Sequence, residues 1–86
     1  MTRESMTREQ ILAGFLDELT GIAPELAPDE IAEDAHLQED MGLDSMDFLN
    51  LVAALHRRFG VAVPEADYPR LATPAAAVSY LAAAMG

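Results

Sequence analysis

Three segments of the chain carry apolar residues at helical spacing, and each is bounded by residues that start or stop helices. The first begins after Thr7, a predicted N-cap, and Gln10 three residues later completes a capping box. Gly21 followed by Pro24 ends this segment. Its core positions are predicted to be Ile11, Leu12, Phe15, Leu16, Leu19 and Ile22. The first segment is therefore predicted to be an amphipathic helix.

The second and third segments have boundaries of the same kind. Asp44 is the predicted N-cap of the second helix, and Gly60 supplies its stop. Thr73 is the predicted cap of the third helix, which Pro74 opens. The second helix is predicted to bury Phe48, Leu49, Val52, Leu55 and Phe59. Its solvent side is predicted to carry Asp47, Asn50, Ala54, Arg57 and Arg58.

A long acidic connection separates the first two helices. Residues 23–43 show no sustained period, and they have room for at most a turn of helix near Asp29 to Glu33. A loop of this length in a small domain needs a reason. Leu37, Met41 and Leu43 are expected to pin its second half against the bundle. The loop is therefore predicted to hold the start of the second helix in a fixed place.

The shorter connection to the third helix completes the prediction of the fold. Residues 61–63 are β-branched or small, but a single such run has no strand to pair with, so an extended connector is expected. A short helical turn is predicted from Glu65 to Tyr68, interrupted by Pro69. The fold class is therefore all-α: a small antiparallel four-helix bundle with three main helices, one short helix and a long first loop. One domain over residues 1–86 is expected, with residues 1–6 flexible.

Charge and composition restrict the partners. The chain has 86 residues and a formal net charge of -10, so neither nucleic acid nor an anionic membrane surface is an expected partner, whereas a protein with a basic face is. No cysteine is present to form a disulfide or a thiolate metal site. The first ten residues lack the apolar centre of a signal peptide, and no apolar run is long enough to span a bilayer. We expect a cytoplasmic monomer without membrane insertion.

The start of the second helix contains a serine in an unusual setting. Ser45 has acids close to it and a predicted exposed Met46 beside it, but no histidine or lysine within local reach. A nucleophilic serine needs an activating base and an oxyanion site, so Ser45 is predicted to be modified and not to attack a substrate. Free backbone N–H groups and the helix dipole both favour a phosphate at this position. The alternative is an ordinary helix start with a serine in its first turn.

The residues Gly42-Leu43-Asp44-Ser45-Met46 resemble the Gly-x-Asp-Ser-Leu/Met signature of the acyl carrier protein family, and the resemblance extends from about Thr7 to Leu81. It implies that a phosphopantetheinyl transferase moves 4'-phosphopantetheine from coenzyme A to Ser45. Acyl groups would then be carried as thioesters on the terminal sulfur of the arm. The chain would not itself be an enzyme, and no catalytic residue is expected.

The resemblance also implies two surfaces around Ser45. Acyl-loading and acyl-processing enzymes with basic docking faces are the implied partners. The expected docking residues are Asp40, Leu43, Asp44, Met46, Asp47 and Asn50, of which Leu43, Asp44, Met46 and Asp47 match the front of the family's docking surface. An acyl pocket between the helices is expected to be lined by Val52, Leu55, Phe59, Val63, Leu71 and Tyr80. No metal site is predicted, because the spacing of Asp40, Asp44 and Asp47 does not match a calcium-binding loop.

Departures from the family pattern leave alternatives open. Asn50 stands where a glutamate is common, and residues 56–58 (His-Arg-Arg) replace an acidic stretch that is typical of fatty-acid carriers. This basic C-terminal end of the second helix either selects a specialised partner or is a solvated turn whose positive charge interacts favourably with the helix dipole. A carrier of amino acids or polyketide units is a second possibility with the same fold. An unmodified acidic adaptor protein, in which Ser45 has only a structural role, is a third.

Overall fold

The computed structural model describes residues 6–85, which are helical with no strand. Helices α1 (Arg8–Ile22), α2 (Ser45–Phe59) and α3 (Pro74–Met85) are joined by two shorter 3-10 helices, Pro28–Glu30 and Glu65–Leu71. The structure confirms the predicted all-α bundle with three main helices, a short helix before the last and a long first loop. Flexibility was predicted for residues 1–6. Of these, residues 1–5 lie outside the described range. No helix between residues 6 and 85 is long and apolar enough to cross a membrane.

The helix boundaries follow the predicted caps. The Thr7 hydroxyl accepts the Gln10 N–H at 3.1 Å, and the Gln10 side chain accepts the Thr7 N–H at 2.9 Å, which completes the capping box. The Thr73 hydroxyl accepts the N–H of Ala76 at 3.1 Å, at the start of α3. Gly60 ends α2 with a φ of 71°. These boundaries are set by local hydrogen bonds, which is why the sequence alone predicts them.

Helix α1 lies at the centre of the packing because it contacts both α2 and α3, while the Glu65–Leu71 helix packs on α3. The three α-helices and the Glu65–Leu71 helix contribute side chains that are at most 1% exposed: Ile11, Phe15, Leu19, Leu51, Leu55, Leu71 and Leu81. Burial of a leucine or phenylalanine contributes roughly 1.5–3 kcal/mol relative to an exposed one. This shared core fixes the positions of α2 and the Glu65–Leu71 helix, between which the candidate site lies.

The rotation of α2 about its axis differs from the prediction. Leu49 is 46% exposed, whereas Leu51 is 1% exposed. At about 100° per residue, Leu51 lies roughly 40° around the helix from the buried Leu55, and Leu49 lies roughly 120° away. Ala54, predicted to face solvent, is buried on the same side as Leu51 and Arg58, and Arg58 contacts α1. The predictions for Leu49 and Ala54 were therefore wrong, because α1 determines which arc of α2 is buried.

The short helices also differ in extent from the prediction. The predicted turn at Asp29 to Glu33 is a 3-10 turn at Pro28–Glu30. The helix that Pro69 was expected to interrupt runs on from Glu65 to Leu71 with Pro69 inside it. A 3-10 helix accepts the fixed φ of proline, so Pro69 removes one N–H donor without ending the helix.

A close contact joins the middle of α1 to the end of α2. Gly14 is buried, and a Cβ atom added there would lie 2.7 Å from Cζ of Phe59 and 2.9 Å from Nε of Arg58. Arg58 also reaches along α1, with its guanidinium 2.9 Å from Glu18 and 3.3 Å from Asp17. These carboxylates raise the pKa of Arg58, chiefly through the hydrogen bond that Arg58 donates to Glu18. Glycine at position 14 thus permits α2 to approach α1.

We predict opposite effects for alanine at two glycines of α1. Gly14→Ala should lower the free energy of unfolding by about 1 kcal/mol, because overpacking against Phe59 outweighs the gain in helix propensity. Gly21→Ala, whose Cβ meets nothing within 4 Å, should raise it by up to about 0.5–1 kcal/mol. Urea denaturation followed by circular dichroism measures both. Equal effects at the two positions would contradict the close contact.

Candidate functional site

The second half of the long loop is tied to the bundle immediately before Ser45. Leu37 is fully buried, and its N–H donates to the carbonyl of Ala72 at 2.9 Å. Leu43 is 4% exposed, and its N–H donates to the carbonyl of Leu37 at 3.1 Å. Gly42 between them has a φ of 79°, a left-handed conformation that glycine adopts without strain. The side chain of Leu43 belongs to the core, as expected of a residue that pins the loop, and it is therefore not exposed for the docking role that the resemblance also implies.

A compact turn at residues 36–41 closes the loop. The backbone N–H of His36 donates to Oδ2 of Asp40 at 2.8 Å, and the N–H groups of Asp40 and Met41 donate to the His36 carbonyl. Asp40 therefore has a structural role, although the residue remains exposed. Earlier in the loop, the Glu33 carbonyl accepts a hydrogen bond from the N–H of Ala75 at 2.9 Å, which joins the loop to α3. The approach to Ser45 is held at several points.

Ser45 is the first residue of α2 and is exposed. The N-cap Asp44 accepts the N–H of Asp47 on Oδ1 at 2.8 Å, and its carbonyl accepts the N–H of Phe48 at 3.0 Å. The first N–H groups of a helix have no intrahelical acceptor, so those of Ser45 and Met46 lie at the positive end of the helix dipole. An anionic group attached to Ser45 fits this position.

The side chains around Ser45 form a partly apolar rim. Met46 is 68% exposed and Leu49 is 46% exposed, and both rank among the most exposed large apolar side chains of residues 6–85. Asp44 and Asn50 are exposed, and Asp47 is half-buried. Five of the predicted docking residues, all except Leu43, thus retain access to solvent. They are Asp40, Asp44, Met46, Asp47 and Asn50.

A groove of about 470 Å³ lies beside Ser45, between α2 and the Glu65–Leu71 helix. Its floor includes Phe48 and Tyr68, whose rings make an edge-to-face contact with centroids 5.5 Å apart. The other lining residues are Gln38, Ser45, Leu49, Glu65, Pro69 and Ala72. The groove combines apolar walls with a few polar side chains, as small-ligand sites commonly do.

The six residues predicted for an acyl pocket do not line this groove. Three of them, Val52, Leu55 and Leu71, are buried in the core. The other three, Phe59, Val63 and Tyr80, are half-buried and pack against it. The prediction missed Phe48 and Tyr68 as lining residues. Phe48 was assigned to the core only, although its position three residues after Ser45 places it one helical turn away.

Tyr80 of α3 holds in place the 3-10 helix that forms one wall of the groove. Its hydroxyl donates to Oδ2 of Asp67 at 2.7 Å, and the guanidinium of Arg70 lies 5.0 Å from the centre of its ring. The hydrogen bond to Asp67, partial burial and the negative charge of Asp67 together raise the pKa of Tyr80. Asp67 and Arg70 flank Tyr68 on the 3-10 helix, so Tyr80 fixes that wall of the groove against α3.

We predict that two substitutions distinguish the helix-capping role of Asp44 from the effect of its negative charge. Asp44→Ala should lower the free energy of unfolding by about 1 kcal/mol, because the Asp47 N–H loses its acceptor. Asp44→Asn keeps a side-chain oxygen and should stay within a few tenths of a kcal/mol of the parent. Thermal and urea unfolding of both variants measures the difference. A loss of the same size in Asp44→Asn would show that the charge, and not the cap, stabilises α2.

Comparison with known proteins agrees with this geometry. Residues 10–81 match the protein family described as "Phosphopantetheine attachment site". The acyl carrier protein of Renibacterium salmoninarum is 35% identical over 78 residues, which cover 91% of this chain and 95% of that protein. That of Streptomyces coelicolor is 37% identical over 76 residues, which cover 88% and 83% of the two chains.

A solved structure shows the same fold. The acyl carrier protein from Enterococcus faecalis superposes with a TM-score of 0.73 at 25% sequence identity, covering 92% of this chain and 99% of that one. The family match spans most of α1, all of α2 and most of α3, and it includes Ser45 and the groove beside it. The prosthetic group of this family is 4'-phosphopantetheine. The chain belongs to the acyl carrier protein family.

Proposed function

We propose that Ser45 is the residue of this chain that carries 4'-phosphopantetheine, and that the chain delivers acyl groups to partner enzymes of fatty-acid, lipid or related specialised biosynthesis. The observation that carries the proposal is an exposed serine hydroxyl at the first position of α2, inside the region matched by the phosphopantetheine family. When bound, the group supplies a terminal thiol on which acyl groups are carried as thioesters. The chain contains no cysteine, so it has no thiol of its own to compete.

The residues around Ser45 fit the group that the proposal places there. The positive end of the α2 dipole favours the phosphate. Asp44 makes the cap, and so holds Ser45 at the first position of the helix. The buried Leu43 anchors the chain directly before the cap. An enzyme that modifies Ser45 therefore meets a hydroxyl in a fixed place that is open to solvent.

The groove is the proposed route by which an acyl chain is sheltered. Phe48 and Tyr68 stand at its floor, with Val52 one turn farther along α2 and Leu71 three residues farther along the 3-10 helix. Separation of the Phe48 and Tyr68 rings would extend the groove toward these core residues. The predicted pocket residues would then line the deeper part of the extended groove, beyond the residues that line it in this structure.

The transferase and the acyl-loading enzymes are proposed to meet the acids at the start of α2. Asp44 and Asp47 lie in the sequence beside Ser45, Asp40 lies in the turn that precedes it, and all three belong to a chain of net charge -10. Such acids favour association with a basic face and raise the rate of encounter. Met46 and Leu49 supply the apolar part of the contact, which is the part that contributes most when it is buried.

Intact-mass spectrometry tests the attachment site. We expect incubation with coenzyme A and a broad-specificity phosphopantetheinyl transferase to add the mass of one phosphopantetheine group. Ser45→Ala should abolish the gain, whereas Ser79→Ala, which removes another exposed serine, should leave it unchanged. No gain in the parent chain would favour the unmodified adaptor. A gain that survives Ser45→Ala would place the group elsewhere.

A further inference from the structure

Resting on the proposed function, we infer that the outer face of α2 docks an acyl transferase whose surface is basic beside its active-site entrance and acidic about 18 Å away. Arg57 follows Ser45 by twelve residues, and a rise of about 1.5 Å per residue gives this distance along the helix. The partner is thus one of mixed charge. A docking face that is basic throughout would repel the far end of α2, because Arg57 is also positively charged.

The outer face is defined by residues that share one side of α2 and are all exposed: Met46, Leu49, Asn50, Ala53, His56 and Arg57. The spacing of positions 46, 50, 53 and 57 follows the helix repeat, so these four form one continuous stripe. Leu49 and His56 lie along one flank of the stripe. The face begins at Met46, next to Ser45 in the sequence, and runs the length of the helix.

Charge changes sign along α2. Asp44 precedes the helix, the half-buried Asp47 lies in its first turn about 90° around the axis from the stripe, and α2 carries no aspartate or glutamate after Asp47. The middle is apolar or neutral, and His56 and Arg57 close the face with basic groups. The chain as a whole has 15 acidic and 5 basic residues, so a cationic end on this surface stands apart from the rest.

The two neighbouring arginines have different surroundings. Both ion pairs formed within residues 6–85 belong to Arg58, which binds Asp17 and Glu18 of α1. Arg57 lies about 100° around the helix from Arg58 and faces solvent on the outer face. A cation in the last turn of a helix also interacts favourably with the helix dipole. Arg58 already provides such a cation, and the outward placement of Arg57 leaves its guanidinium free to meet a carboxylate of a partner.

The chemistry of the partner follows from this order of groups. Basic side chains near its entrance complement Asp44 and Asp47, and an apolar depression accepts Met46 and Leu49. A carboxylate at the far end pairs with Arg57. Like charges placed opposite each other across an interface exclude wrong partners, so an arginine or lysine in place of that carboxylate disfavours docking.

Binding to two acyl transferases tests the inference. One is chosen because its known structure is basic all around the entrance, and the other because it carries a carboxylate about 18 Å from a basic entrance. The dissociation constant of each is measured by NMR titration of the 15N-labelled full chain without modification, so the result does not depend on whether Ser45 accepts phosphopantetheine. The parent chain should bind the second transferase at least about fivefold more tightly than the first.

Charge reversal supplies the matched comparison. Arg57→Glu should invert this preference, whereas Arg8→Glu, which makes the same change in net charge at an exposed residue of α1, should preserve it. The inference is overturned if neither transferase shifts the amide signals of the outer face, if Arg57→Glu leaves the preference unchanged, or if Arg8→Glu changes it equally. A role of Arg57 confined to the helix dipole predicts a lower melting temperature with unchanged preference, and that result also overturns it.

Discussion

Burial of Leu37 and Leu43 is the constraint on which the presentation of Ser45 depends. The connection of α1 to α2 is long and acidic, and little in its composition would hold it in one place. Two buried leucines and the hydrogen bond of Leu37 to Ala72 attach its second half to the junction of the 3-10 helix and α3. The buried Leu43 lies two residues before the exposed Ser45 and attaches the chain to the core directly before α2.

The far end of α2 is fixed by different means. Phe59 and Arg58 lie against Gly14, and Arg58 also binds the carboxylates of Asp17 and Glu18. Surface ion pairs of this kind stabilise weakly, so packing at Gly14 is the stronger restraint. With both ends held by the bundle, the opposite side of α2 is free of the core along its whole length. This division gives one helix both a buried side in the core and an exposed side along its length.

The sequence predicts the features that depend on neighbours in the chain. The capping box at Thr7, the cap at Asp44 and the stop at Gly60 need only a few adjacent residues, and all are observed. The rotation of α2 was not predictable from its own residues, because Leu49 and Leu51 are equally apolar and only the position of α1 decides between them. The burial of Leu43 and the groove at Phe48 likewise depend on elements distant in sequence, namely the loop and the 3-10 helix that the chain brings to Ser45.

The rate at which Ser45 is modified in loop variants tests the role of the anchor most directly. Leu43→Ala removes the anchor before Ser45, and Leu81→Ala removes a fully buried leucine of α3 as the matched control. At a temperature where both variants are folded, the account predicts that kcat/KM for phosphopantetheine transfer falls by about tenfold or more in Leu43→Ala, with a much smaller loss in Leu81→Ala. Equal rates in the two variants would contradict the claim that the anchored loop positions the serine.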